Sequence, residues 1–346
     1  MRKLLLLLAL LSFLVMPASA LEIKAPEVPE AGAQLMPKDT TSFSDALMEL
    51  LEKALLTVEP DLAEATQISV SMICIVMVFS LLHSFGGSTQ KAAYIAGSLA
   101  IASILLNSTN SLIRLGTSTI TELSNYGKLL LPVMTAAMAS QGGVTTSTVL
   151  YTGTAAFDLL LSSLISKILV PAVYFFLALA AANSAIGADI LKRLRDFIKW
   201  FISWTLKTLL TVFTTYMGIT GVVSGTTDAV ALKATKFTIS SVVPVVGGIL
   251  SDASEAVLVS AGLVKNAAGI YGILAALAVF LVPFLKIGIQ YAVVKFTAAL
   301  CSLFGTKQLS DLIEDFSTAM GFLLAMTGSA CLLLLISTVC FLKGVA

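Results

Sequence analysis

Two ionisable side chains sit inside runs otherwise apolar enough to cross a membrane: Asp158 in 146–166 and Lys295 in 287–306. A charge at that depth is costly and faces a bundle interior or water. Asp158 therefore either pairs with a lysine or stands in a wet pathway. Lys286 and Lys207 lie near span ends, where a lysine can snorkel to the interface. Prolines and glycine pairs are the other candidates. The stretches "KLLLPVMTAAMASQGGVTTSTVL" (128–150) and "SSVVPVVGGILSDASEAVL" (240–258) share an order of features. Each has a proline near its start (Pro132, Pro244), a Gly-Gly pair (Gly142-Gly143, Gly247-Gly248) and a polar run ending in Val-Leu. Apolar runs too short to span are re-entrant or interfacial more often than crossing. A matched pair of Gly/Pro-interrupted segments in two halves points to a transport path. Asp252, Glu255 and Asn266 follow the second segment and would line its mouth. The alternative is a pair of kinked packing helices with glycines for close contact.

These residues are carried by a chain that is 57% hydrophobic and 12% charged, with mean hydropathy +0.97; soluble domains carry roughly 25% charge. The expected fold is all-α, a polytopic membrane helical bundle of about eight spans plus the two short broken segments. The spans read as 66–82, 92–113, 146–166, 168–188, 207–226, 267–285, 287–306 and 318–342. Pro171 and Pro283 are separated by the same 112 positions as Pro132 and Pro244. That spacing suggests an internal duplication: membrane repeat 1 at 128–226 and membrane repeat 2 at 240–346, after first membrane spans at 66–127. Recurrent Gly, Ala, Ser and Thr would let the helices pack closely.

Residues 1–20 read as a signal peptide, with a basic start, the apolar "LLLLLALLSFLV" and "ASA" at its end; an uncleaved anchor is the other reading. Residues 21–65 form an exported acidic linker and amphipathic helix. Ten acids against three lysines fall in 21–66, half of the 20 acids in the chain. Phe43, Leu47, Leu50 and their successors repeat at helical spacing to Val58, with Pro60 as the expected end. With Glu49 and Glu52 on its polar face, this helix would dock a partner or pack on the membrane body. Farther on, "DILKRLRDFIKWF" sets Lys192, Arg193, Arg195 and Lys199 opposite Ile190, Leu194 and Phe197, beside Trp200 and Trp204. It suits a membrane surface with anionic headgroups, or a basic loop that fixes topology. In the re-entrant reading of 128–150 this basic cluster falls outside, against the positive-inside rule; in the crossing reading it falls inside and the repeats run parallel.

The net charge of +1 implies no nucleic-acid partner. There is no phosphate loop, HExxH or GxSxG motif, and one histidine, His83, leaves little room for His-dependent catalysis. Four cysteines in apolar runs show no metal or redox spacing. Neither an enzyme nor a cofactor is expected.

The run "KFTISSVVPVVGGILSDASEAVLVSAGLVKNAAGIYG" (236–272) resembles the core of the stage III sporulation protein AE family. The near-terminal "LLAMTGSACLLLLISTVCF" and the order of segments extend the likeness over most of the chain. The resemblance implies a membrane subunit of a channel-like assembly joining mother cell to forespore in endospore-forming bacteria. Its partners would be the other stage III A-operon proteins, among them a secretion-type ATPase, and through the complex the forespore protein Q. A stand-alone secondary transporter is the competing expectation.

Overall fold

The computed structural model describes residues 26–37, 43–84, 89–242, 247–304 and 307–343, with side chains except at 83–84, 89–91, 93–94 and 221–266. All regular structure among these residues is helical. It consists of a short turn, α1 (Glu30–Ala33), and six long helices: α2 (Phe43–Ser84), α3 (Thr89–Ser140), α4 (Val144–Ile186), α5 (Asp189–Val242), α6 (Gly247–Ser302) and α7 (Lys307–Lys343).

Cross-helix contacts fix the direction of each. Ser69 bonds Thr297 and Asp61 pairs with Lys286, so α2 runs parallel to α6. Ser98 meets Ser184 while Ser124 meets Asp158, so α3 and α4 are antiparallel. Thr154 bonds Ser337 and Phe176 packs edge-on to Phe322, so α4 opposes α7. The bundle thus alternates direction at every connection. The α4–α5 and α6–α7 pairs run the same way, so the turn at 187–188, the end of α6 at Ser302 and the start of α7 at Lys307 lie at one end. The connection 141–143 and the N-terminal segment lie at the other. Gly142 (φ 93°) and Gly187 (φ 71°) make those two turns possible, since side chains rarely tolerate that region.

Among the described residues five helices are long and apolar enough to cross a membrane: α2, α3 from Ile95, α4, α6 from Ala267, and α7. The expected count of eight is corrected by fusion of neighbouring runs. Runs 146–166 and 168–188 fall on one helix that ends at Ile186, and runs 267–285 and 287–306 on one that ends at Ser302. A reversal between antiparallel helices takes roughly 2–8 residues, and Lys167 and Lys286 leave only one. Pro171 is accommodated by a wider π turn just before it, Ile165–Leu169, where the Val170 N–H reaches the Ile165 carbonyl. At 43 residues, α4 is roughly 65 Å long, about twice a hydrocarbon core.

Pro60 and Pro132 do not end their helices either. An interior proline costs on the order of 3 kcal/mol, and tertiary packing on both sides offsets it. Around Pro60, Ala54, Val58 and Ala65 are buried and Asp61 is paired. Around Pro132, Leu130, Leu131, Met134 and Met138 are buried in the main core. The 128–150 stretch is therefore not a separate re-entrant segment. Its first part completes α3, the chain turns at Gln141–Gly143, and α4 begins. The expected span 207–226 lies on α5, with its last residues beyond the described side chains.

The N-terminal segment packs on the body. Gly32 sits so close to α6 that a Cβ there would lie 3.0 Å from the Val279 backbone nitrogen, and Leu35, Leu50 and Ala54 form a small cluster with Ala278. Glycine permits a second close approach where α3 crosses α6: a Cβ on Gly272 would lie 2.7 Å from Leu130, whereas one on Gly218 meets nothing within 4 Å. Overpacking costs typically 1–3 kcal/mol. Gly272→Leu is thus expected to lower the melting temperature of the detergent-purified protein clearly and Gly218→Leu to leave it unchanged. Equal melting of the two would contradict this packing.

Candidate functional site

A cleft of about 790 Å³ opens between α2, α3 and α6. Most of its lining is polar: Asp61, Glu64 and Gln67 from α2, Ser103, Asn107, Ser108 and Ser111 from α3, Lys286 and Gln290 from α6. Lys286 Nζ stands 3.2 Å from Asp61 Oδ2, and Gln290 Nε2 donates to Ser108 Oγ at 3.2 Å. The surroundings are apolar. Just there α6 packs on α7, with Gly321 beside Tyr291 and Gly328 beside Phe284.

The polar character of the lining continues along α3. Ser103, Asn107, Ser111, Arg114, Ser118, Thr121, Asn125 and Lys128 are all exposed and recur every three or four residues. They form one polar stripe, while Ile101, Leu105, Ile113, Ile120 and Leu123 on the opposite face are buried. The signal was present in the sequence as a helical period of small polar residues. It was missed because each residue alone is ordinary in a packed span.

A second polar cluster closes the end of the bundle where α5 and α7 begin. Arg195 Nη1 is 2.7 Å from Asp315 Oδ2, each side chain 12% exposed. Its Nε and Nη2 also donate to Asp196 Oδ1. Nearby, Ser184 Oγ donates to the Gln308 carbonyl, and Lys295 pairs with Glu314. Arg195 was expected on the exposed basic face with Lys192, Arg193 and Lys199. It turns inward instead, because Asp315 on α7 has no other buried cation among the described residues. The other three remain exposed, next to a stacked Trp200–Trp204 pair at 5.9 Å.

The remaining sequence candidates separate. Asp158 accepts a hydrogen bond from Ser124 Oγ at 2.6 Å, with Lys128 as the cation acting on it, so it is part of the α3–α4 contact. Pro132 is exposed on α3, and Gly142 and Gly143 form the turn after it. Pro244 lies outside the described residues. Gly247, Gly248, Asp252, Glu255 and Asn266 fall on α6 but outside the described side chains. On α2, Leu50 is buried against α6, Glu49 pairs with Lys53, and Phe43 and Glu52 are exposed while Leu47 is half-buried.

One juxtaposition is visible only in three dimensions. Gly116 packs on Ile287, which brings Arg114 level with Lys286. Lys207 shares an apolar groove with Phe284. On α4, Lys167 falls between Asp158, bonded to Ser124, and Tyr174, bonded to Asn110. Cations on four helices therefore come to within roughly two helical turns of one level.

These features define a polytopic helical membrane protein with a hydrophilic cleft and a basic end. The chain belongs to the stage III sporulation protein AE family, whose family model matches residues 34–344. Among curated proteins it is 22% identical over 273 residues to stage III sporulation protein AE of Bacillus subtilis (strain 168), covering 79% of this chain and 68% of that one. No solved structure matches. The family is one of sporulation proteins.

Removing one partner of a buried ion pair costs roughly 3–5 kcal/mol, whereas replacing both with apolar groups is often neutral. Asp315→Leu alone is expected to destabilise the bundle strongly, and Arg195→Met added to it to restore most of the loss. Thermal melting of the single and double variants checks this; no recovery in the double variant would show that Arg195 is held by other contacts.

Proposed function

We propose that this chain is an integral membrane component of the assembly that joins mother cell to forespore, and that its α2–α3 face lines the aqueous path of that assembly. The observation that carries the reading is the polar stripe from Ser103 to Lys128, continuous with the cleft at Asp61 and Lys286. Where the stripe lies at hydrocarbon depth, from Ser103 to Ser111, lipid offers it no partners, so it faces water or another subunit. The role is one of forming a passage rather than catalysing a reaction.

The level of Arg114, Lys167, Lys207 and Lys286 supports a membrane–water boundary there, since such side chains extend to the headgroups. From Lys167 to Ile186 is 20 residues, about 30 Å of helix and the thickness of a hydrocarbon core. Lys192, Arg193 and Lys199 at the opposite end would face the cytoplasm by the positive-inside rule. The N-terminal segment is then exported, and the protein sits in the mother-cell membrane around the forespore. Its partners are the other stage III A-operon proteins, which would supply the energy, and through them forespore protein Q. The sporulation family and the name of the Bacillus subtilis relative support this placement.

Two experiments test it. Deleting the gene in its host is expected to let engulfment finish while a late forespore reporter stays dark; normal spores would overturn the reading. In a variant with Cys74, Cys301, Cys331 and Cys340 replaced by alanine, Asn107→Cys and Ser111→Cys are expected to react with a membrane-impermeant maleimide. Phe175→Cys, on the apolar surface of α4, is expected to stay protected. Protection of all three positions would remove the wet face.

A further inference from the structure

On another face of the bundle, α5, α6 and α7 border a groove of about 590 Å³. We propose that this groove holds one acyl chain of an anionic phospholipid, with the lipid phosphate on Lys207. The proposal rests on the membrane level argued above and is independent of the aqueous path. The volume is within the usual range for small-molecule sites.

The groove spans one leaflet. Its lower end is Phe322, which packs edge-on to Phe176. Phe176 lies midway along the stretch of α4 from Lys167 to Ile186 that matches a hydrocarbon core. Its upper end is Leu332, roughly 15 Å farther along α7. That is about half of a hydrocarbon core, the depth of one acyl chain and too short for a partner helix that crosses the membrane. Lys207 comes near the upper end. Arg195 pairs with Asp315, and α5 and α7 run the same way from that pair. Equal steps along both helices set Lys207 level with Thr327. The next residue, Gly328, lies beside Phe284, one turn or less from Lys286. A lysine at this level extends its ammonium farther toward the headgroups.

The lining selects the ligand. Leu206, Phe284, Phe322, Leu324 and Leu332 give the groove apolar walls. Its two hydroxyls are satisfied within their own helices: Ser203 Oγ donates to the Lys199 carbonyl and Ser329 Oγ to the Ala325 carbonyl. Lys207 is thus the one side chain of the lining with a polar group to offer, and no carboxylate among the described residues forms an ion pair with it. A cation is repelled here, and a polyol finds no partners on the walls. An alkane gains apolar contact but leaves the ammonium unpaired at the edge of the hydrocarbon. An anionic phospholipid supplies both contacts, its chain along the walls and its phosphate on Lys207. A zwitterionic lipid carries its own ammonium next to the phosphate, so the lysine attracts it less.

The test is tryptophan fluorescence of the full chain in lipid nanodiscs. The chain has two tryptophans, Trp200 and Trp204. In a Trp200→Phe variant, Trp204 is the reporter, exposed and one helical turn from Lys207. The nanodiscs hold equal parts of phosphatidylglycerol and phosphatidylcholine, with bromine on the chains of one or the other as quencher. Phosphatidylglycerol is expected to be preferred about fivefold at Trp204, the effect of one lysine on an anionic lipid. Lys207 is exposed, so Lys207→Met keeps the fold and is expected to remove the preference. Lys207→Arg and the distant Lys192→Met are expected to keep it. Gly328→Leu fills the groove and is expected to remove the preference with Lys207 intact; its Cβ would meet Phe284 at 3.9 Å, an ordinary contact. If that variant fails to fold, Ala325→Phe, at an exposed position of the same groove, takes its place. Equal quenching by the two lipids would overturn the proposal, leave the membrane level standing and open the groove to a partner's side chains. A preference that survives the filled groove would overturn it too, since the lysine would then act on headgroups alone. No quenching by either lipid would remove the proposal together with the membrane level. The aqueous path is tested separately by maleimide labelling at Asn107→Cys and Ser111→Cys.

Discussion

The bundle depends on the burial of α7. Helices α3, α4, α5 and α6 all pack on it, and its inward positions from Leu309 to Phe341 are covered along its whole length. Lipid tails are as apolar as leucine, so burial of this kind is driven by close packing and by hydrogen bonds rather than by escape from water. The residues of α7 match that demand. Small and hydroxyl-bearing side chains such as Ser317, Ala319, Thr327, Ser329, Ser337 and Thr338 are buried among Phe316, Met320 and Met326. Thr327, Ser329 and Thr338 turn their hydroxyls back to carbonyls of their own helix, and Ser337 reaches Thr154 on α4.

A core so apolar leaves few acceptable arrangements for the charges that remain. Asp315 lies on the covered face of α7 and draws Arg195 inward, away from the exposed Lys192, Arg193 and Lys199. Asp158 is held by Ser124 at the α3–α4 contact. Asp61 and Lys286 differ, because their pair stands at the edge of a cleft rather than inside a closed contact. The polar stripe of α3 begins at the same place. Where charges are locked into helix contacts they hold the bundle together, and where they border open space they are free to meet solute.

Much of the architecture was legible in residue types. The apolar runs, the acidic N-terminal helix and the basic segment at 192–199 all lie on helices, as composition and periodicity placed them. The misreadings share a cause. Pro60 and Pro132 carry local signals that end a helix, yet Leu50, Ala54 and Val58, and Leu130, Met134 and Met138, are buried beside them. Local propensity is worth a few kcal/mol, and the contacts of a long helix on its neighbours exceed it. Run length was also ambiguous, since one lysine between two apolar runs reads as a boundary in one dimension.

Sequence by itself determined that the chain is helical and built for a membrane, which segments are basic or acidic, and the family to which it belongs. Those properties follow from composition and period, which need no knowledge of neighbours. Only the tertiary structure decided which helices face each other. It brought Asp61 to Lys286 across 225 positions, set Arg195 against Asp315, and brought cations from four helices to within roughly two helical turns of one level. The physical reason is that side-chain charges act over a few ångströms while these partners lie far apart along the chain. Their meeting is set by the register of packed helices, and that register is fixed by glycines, hydroxyls and methyl groups elsewhere in the bundle.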